Sequence, residues 1–381
     1  MNYQRFKALL AFLHVVDPFE EDENNKLRKV SPFISHFQEI CRTLYQPYQN
    51  VAVDERIVKS KHRSGIRQYI KNKPVKFGIK LWVLADSNNG YTCDFNVYAG
   101  KNGEKYDNNN GLGYITVWTL CKPLFNQGYQ VFYDNFYTSP QLVVDLYEKG
   151  TPSCGTITMN RRGFPESMKD GKTWARSSSR GDMRWIRDGK CLALQWKDNK
   201  LVTMLSSIDV GTGFVEVKRK VKNSDSKWIT ESVRQPSCIQ RYNKFMNGVD
   251  RSDQYLAKYN LLRKCVRWWK TLFFHMIDIS LVNSFILFQS FRKANPDMVS
   301  LERAKSYSLL NYREAVLRQI LHLDEFRCPP LSNRVENVQP GLTAQIHLPV
   351  FSDKKRNFAI SNSRWRQRFI LIVNRVTLIC M

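Results

Sequence analysis

Hydrophobic positions along the chain change period from helical to strand-like and back. Phe6, Leu9, Leu10 and Leu13 recur at steps of three and four. So do Phe33, Ile34, Phe37, Ile40 and Leu44 beyond an acidic loop (Glu20, Glu21, Asp22, Glu23), which predicts two amphipathic helices in residues 1–50. Near residue 50 the period shortens. Val51, Val53, Ile57 and Val58 flank Asp54 and Glu55, residues 78–85 form an apolar run, and residues 91–98 form another. The last two are joined through Asn89-Gly90, a strong hairpin signal, so three adjacent antiparallel strands are expected. Residues 114–126 have helical spacing, and 130–133 form a short apolar strand ending on Asp134. Residues 140–149 make a helix opened by Pro140 and stopped by Gly150, followed by a strand over 154–159.

The sequence then changes character. Between residues 160 and 238 short strand-like pieces alternate with Gly and Asp/Asn turns in an Arg/Lys-rich setting, which predicts a basic, mainly β insertion packed beside the core sheet and not continuing it. A helical pattern resumes at Ile239 and runs to about Ala294 with one break at 263–267. From Cys328 onward Pro329, Pro330, Pro340 and Pro349 mark an extended tail. The expected domains are 1–50 (partial helical), 51–160 (core, first part), 161–238 (β insertion), 239–327 (core, second part, helical) and 328–381 (tail). Strand, strand, strand, helix, strand, helix, strand is the order of a ribonuclease H-like α/β sheet, mixed and flanked by helices.

In open α/β sheets reactive groups collect at strand ends near the switch in strand order. Asp54 falls in the first strand and Asp134 at the end of its expected neighbour, which would bring two carboxylates to one edge. Asp250 and Asp253 stand one helical turn apart at the start of the C-terminal helical region. Mg²⁺ prefers oxygen ligands, and a pair of such ions can activate the attacking oxygen and stabilise the leaving oxygen of a phosphodiester. Mn²⁺ is an alternative occupant. Alternation sends Glu55 to the opposite sheet face, and Asp145 lies mid-helix on a side read as solvated.

Charge narrows the class of partner. Lys and Arg total 59 against 34 Asp and Glu, a net charge of +25 and a pI near 9.7, so polyanions are the expected partners, nucleic acid before acidic membrane. Nine scattered cysteines without a C-x-x-C pair suggest reduced thiols inside a cell and leave no local zinc knuckle. Residues 271–291 are long enough to cross a bilayer, yet His275, Asp278, Asn283 and Gln289 interrupt them, so a buried core helix is expected and no membrane partner. Basic runs flank the acids. Lys59, Lys61, Arg63, Arg67, Lys71, Lys73 and Lys76 follow Asp54, and Arg263, Lys264, Arg267 and Lys270 follow Asp250, as phosphate contact requires. Trp268, Trp269 and His275 are expected in the core.

Three strings, VDERIVKSKHRSGIRQYIKNKPVKFGIKLWVLAD from Val53, VFYDNFYTSPQLVVDLYEKGT from Val131 and YNKFMNGVDRSDQYLAKYNLLRKCVRWWKTLFFHMIDISLVNSFILF from Tyr242, resemble the piggyBac transposases and their domesticated relatives. The resemblance runs in order from about Arg5 to Arg327. It implies a nuclear DDE/D nuclease-transferase with a ribonuclease H-like core, an all-β insertion, Mg²⁺ dependence and movement at TTAA targets. It also implies catalytic acids at Asp54, Asp134 and Asp250, with Asp253 as an accessory acid. A homodimer is open. Two departures are expected: the chain starts inside the family's N-terminal dimerisation and DNA-binding domain, and it lacks the terminal Cys/His-rich zinc module, so no structural zinc is anticipated. A domesticated or decaying copy that binds DNA without transposing it is the alternative.

Overall fold

The computed structural model describes residues 2–322 apart from 72, 74, 101–109, 223–226 and 262–266. The tail from residue 328, with its expected lack of zinc ligands, lies outside the described residues, as do Arg263 and Lys264. The described residues fall into two compact units, divided between Leu287 and Phe288.

In chain order the elements are α1 (Tyr3–Phe12), α2 (Ser31–Thr43), β1 (Asn50–Lys59), β2 (Arg67–Tyr69), β3 (Phe77–Asp86), β4 (Thr92–Val97), α3 (Gly111–Cys121), β5 (Gln130–Tyr133), α4 (Pro140–Glu148) and β6 (Ser153–Thr156). They continue with α5 (Gly171–Ser177), β7 (Met183–Asp188), β8 (Cys191–Lys197), β9 (Leu201–Ser206), β10 (Phe214–Lys222) and β11 (Trp228–Pro236). Last come α6 (Ser237–Phe245), α7 (Gly248–Lys258), α8 (Trp268–Ala294) and α9 (Leu309–Ile320). α4 shows how locally these are written: Ser139 caps its first turn by accepting from Leu142 N, Pro140 opens it, and Leu142, Val143 and Leu146 form its buried face.

The main sheet has nine strands in the order β2-β3-β1-β5-β6-β9-β8-β7, with β4 on β3. β1 lies between antiparallel β3 and parallel β5, and β5 pairs in parallel with β6. Three antiparallel strands followed by parallel ones is the expected ribonuclease H-like arrangement. Beyond β6 the expectation of a separate β insertion is corrected. β6 leaves an open edge, β9 pairs antiparallel to it with Cys154 opposite Ser206, and β8 and β7 follow, so residues 183–206 extend the core sheet. The core is shared accordingly: Phe132 of β5 and Cys154 of β6 pack in one cluster with Leu192, Leu194, Trp196, Met204, Val233 and Ile239. Short strand pieces in a sequence do not reveal which edge they will cover. Among the described residues of this segment the two-stranded ribbon β10-β11 stands apart, and α5 is an α-helix of the same segment.

α6 and α7, expected as one helix, are separated at Asn247. The reason lies at Gly248, where α7 crosses the sheet. A Cβ there would stand 3.1 Å from Asp86 O, 3.2 Å from Ala85 O and 3.2 Å from Ala52 Cβ, so any side chain would press on β1 and β3 and glycine eases the close approach of the helix. α8 is long and apolar enough to cross a membrane by length and composition. In the fold its residues Trp269, Leu272, Phe273, Met276, Ile279 and Val282 are buried, and Asn283 holds the backbone of Thr92 on β4 by two 3.0 Å hydrogen bonds. In the second unit Phe288 packs against Tyr307 and Tyr312.

Candidate active site at the β1–β5 edge

The parallel register of β1 and β5 pairs Ala52 with Phe132 and Val53 with Tyr133. One step further along both chains, Asp54 and Asp134 come side by side. Asp134 begins a turn as its strand ends: its carboxylate accepts from Phe136 N at 2.9 Å. Ala52, Asp54 and Arg56 share the sheet face that α7 covers, which brings in Asp250 on the first turn of that helix.

The electrostatics record this convergence. Burial pushes the Asp54 carboxyl up to about 7, and the negative charges of Asp134 and Asp250 push in the same direction against the Glu55 N–H that it accepts. Asp134 is also raised, first by burial and then by the charge of Glu55, with Lys73 and Lys80 pulling it down. Glu55 is therefore closer to the site than strand alternation suggests. Lys73 at 3.1 Å and Lys80 at 2.6 Å both hold it, and together they keep it below the usual carboxylate range although burial acts in the opposite sense.

Two phenols, the buried Tyr137 and the half-buried Tyr242, feel the charge of the acids. Tyr137 and Tyr242 are raised by burial and then by the charges of Asp54 and Asp134, so both remain neutral hydroxyl donors at physiological pH. Neither was signalled by the sequence, since an aromatic after a strand is indistinguishable from a core residue until the turn places it. Lys80 also extends over the Phe136 ring at 5.0 Å. Asp145, expected to be solvated, accepts from the Tyr114 hydroxyl at 2.6 Å.

Asp253 is engaged by a partner of its own. It pairs with the buried guanidinium of Arg56 at 2.5 Å, while Arg56 Nη2 donates to Ser252 Oγ at 2.8 Å. Ser252 Oγ is in turn 3.1 Å from Thr92 Oγ1. These contacts tie α7 to β1 and β4. Burial and the Arg56 charge hold the nearby His275 down at about 3, so this core histidine is neutral.

Three carboxylates, one of them raised to about 7 by burial and by the charge of the other two, have the chemistry of a divalent cation site, because a cation would supply the missing positive charge. Among the described residues no three His, Cys, Asp or Glu side chains already enclose a metal position.

The basic runs divide. Lys59, Lys61, Arg63, Lys71 and Lys76 are exposed, and Lys73 is engaged with Glu55. Arg67 is half-buried over the Phe77 ring and donates to Lys61 O at 3.3 Å. Arg63 and Arg267, far apart in sequence, meet in a cleft of about 480 Å³ with Lys29, His62, Trp268 and Trp269. Lys270, expected to face phosphate, is corrected: it is buried and donates to the Leu10 carbonyl of α1. Its neighbours Trp269 and Thr271 are buried too, and a helix apolar on several sides takes the lysine in with them.

Comparison with known proteins agrees with this architecture. The family model described as Transposase IS4 matches residues 1–285. The chain belongs to the piggyBac transposase family. It is 28% identical over 307 residues to PiggyBac transposable element-derived protein 3 of Homo sapiens, covering 80% of this chain and 51% of that protein. It is 27% identical over 293 residues to PiggyBac transposable element-derived protein 2 of Homo sapiens, covering 74% and 48%. The chain thus spans about half the length of these curated relatives. A cryo-EM structure of the piggyBac transposase synaptic complex with hairpin DNA is similar at a TM-score of 0.71 and 26% identity, covering 90% of this chain and 70% of that one.

Proposed function

We propose that this piggyBac-family chain is a metal-dependent DNA strand transferase acting in the nucleus, cutting phosphodiesters at TTAA-type sites through Asp54, Asp134 and Asp250. The observation that carries the reading is the parallel register of β1 and β5, which sets Asp54 and Asp134 side by side beneath the first turn of α7 with its Asp250. The three carboxylates would hold Mg²⁺, or Mn²⁺ in its place. When bound, the cation supplies charge neutralisation of the phosphate and of the attacking and leaving oxygens. The chain's own groups do the rest. Lys73 and Lys80 hold Glu55 and balance its charge beside Asp134. The neutral hydroxyl of the half-buried Tyr242 can donate to a non-bridging phosphate oxygen without adding charge. Arg56 anchors Asp253, and through it the turn that carries Asp250. The exposed Lys59, Lys61, Arg63, Lys71, Lys76 and Arg267 would track DNA phosphates, which position a duplex without reading its sequence.

A second reading is a transposase-derived DNA-binding protein without catalysis. It is favoured by the carboxylates, which do not already enclose a metal position among the described residues. The deciding measurement is strand cleavage of a TTAA-flanked transposon end in Mg²⁺ or Mn²⁺ by the parent and an Asp134→Asn variant. Cleavage by the parent alone supports the transferase, and DNA binding without cleavage by either supports the second reading.

A further inference from the structure

The β10-β11 ribbon is built unlike the rest of the fold. It pairs over nine residues from Phe214–Pro236 to Lys222–Trp228 and belongs to no larger sheet. Its base is fixed. Val233 is buried in the core cluster with Val217 packed against it, the Trp196 indole donates to Arg234 O at 2.7 Å, and Arg219 reaches Asp198 at 3.5 Å. Those anchoring valines and Arg219 lie on one face of the ribbon. Strand alternation puts Lys218, Lys220 and Lys222 on the other, opposite Ser232, Thr230 and Trp228 in the register.

That second face is exposed from Lys218 outward, and among the described residues no carboxylate pairs with its three lysines. Glu216, the acid on the same face, sits nearer the base and accepts from Ser232 Oγ at 2.7 Å. Trp228 is 67% exposed and carries the Lys222 ammonium over its ring at 5.5 Å. An isolated two-stranded hairpin is marginal in water unless something covers it, so an anchored ribbon with an uncovered cationic face points to a polyanionic partner.

We infer that the β10-β11 ribbon is a DNA-groove arm whose Lys218/Lys220/Lys222 face enters the major groove of a duplex. This inference rests on the reading of the chain as a DNA-acting protein and adds the element, the face and the groove. The dimensions agree. The major groove, about 12 Å wide, admits a two-stranded β-ribbon, whereas the minor groove at about 6 Å does not. Lysines two residues apart on an antiparallel strand repeat every ~6.8 Å, two steps of the ~3.4 Å phosphate rise along each DNA strand. Thr230 and Ser232 between them offer hydroxyls to base edges or phosphates.

The test is a triple Lys218→Gln, Lys220→Gln, Lys222→Gln variant of the whole chain. Its control replaces Lys122, Lys149 and Lys200, which are equally exposed, in the same way. Binding of a random-sequence 30-base-pair duplex is followed by fluorescence anisotropy across a NaCl series. Competition is measured with methyl green, which occupies the major groove, and with netropsin, which occupies the minor groove. The ribbon variant should flatten the log-log salt slope by about 2 to 3 units at unchanged melting temperature, the control by less than about 1. Methyl green should displace the parent and netropsin should not. A ribbon variant that keeps the parent's slope, or displacement by netropsin alone, overturns the groove arm while leaving DNA binding intact. A parent that binds no duplex at all overturns both the arm and the function on which it rests.

Discussion

Asp54 carries a consequence for stability that can be read without any DNA. An aspartate held at about 7 in the fold and near 4 in the unfolded chain binds its proton more tightly when folded. Between those values the folded state carries the extra proton, so the group's contribution to stability falls as pH rises from about 4 to about 7 and is fully lost above that. Three pH units correspond to at most about 4 kcal/mol. An Asp54→Asn variant should therefore gain stability over the parent progressively across that window and hold a constant advantage above it, as measured by denaturant unfolding with EDTA present. A difference independent of pH would remove the coupled-acid description. At pH 8, Mg²⁺ or Mn²⁺ should raise the parent's melting temperature, by the equivalent of about 2.7 kcal/mol at one hundred times the dissociation constant, and leave Asp54→Asn nearly unmoved. At this scale the sequence was informative about the acids, because strand ends and a strand register follow from hydrophobic period. It was misleading on Glu55, which alternation sends to the opposite sheet face but whose charge acts on Asp134 while Lys73 and Lys80 hold it. It was misleading on Lys270, because a run of basic letters does not say which of them a buried helix face will take inward.

α7 is positioned by one close approach and one ion pair, and each makes a separate prediction. Gly248→Ala would push its methyl against Asp86 O and Ala52, which should cost about 1 to 3 kcal/mol by chemical denaturation and reduce cleavage further by displacing Asp250. Asp253→Ala would leave the Arg56 guanidinium buried and uncompensated. Fully buried pairs cost about 3 to 5 kcal/mol to break from one side, and because Asp253 is partly exposed about 2 kcal/mol is expected here. If Asp253 instead served only a metal, the same substitution would leave metal-free stability unchanged, so unfolding in EDTA separates the two roles. The elements themselves were largely legible: β1, β3, β4, β5 and β6 and the helices α2, α4 and α8 all follow from periodicity, caps and turn residues. What periodicity could not supply was partnership. β7, β8 and β9 carry strand patterns as good as any other, but only the open edge of β6 decides that they lengthen the main sheet. The α6–α7 break is likewise a tertiary demand, placed where a helix must come within contact distance of two strands.

For the whole molecule, a charge of +25 makes contact with polyanions expected, but where those charges sit decides what each one does. Arg63 and Arg267 come from runs some two hundred residues apart in sequence and reach one cleft, together with Lys29 and two tryptophans. Lys29 is engaged at 2.9 Å by Glu21, and Arg267 meets His14 at 3.1 Å, a histidine that burial and the cations around it keep neutral. The two arginines therefore keep their charge available to phosphate. Replacing both with glutamine should flatten the salt dependence of duplex binding by about 2 units, because each lost phosphate contact removes about 0.9 from the log-log slope. Lys270→Gln, the third cation of the same stretch, should behave differently. It would leave the slope nearly unchanged and instead loosen α1, whose Leu10 carbonyl it holds, at a cost of about 1 to 3 kcal/mol. Limited proteolysis within residues 3–12 would report that loosening directly. Equal slope changes from Lys270→Gln and from Arg267→Gln would mean that the cleft does not distinguish buried from available charge, and would overturn this division of the basic runs.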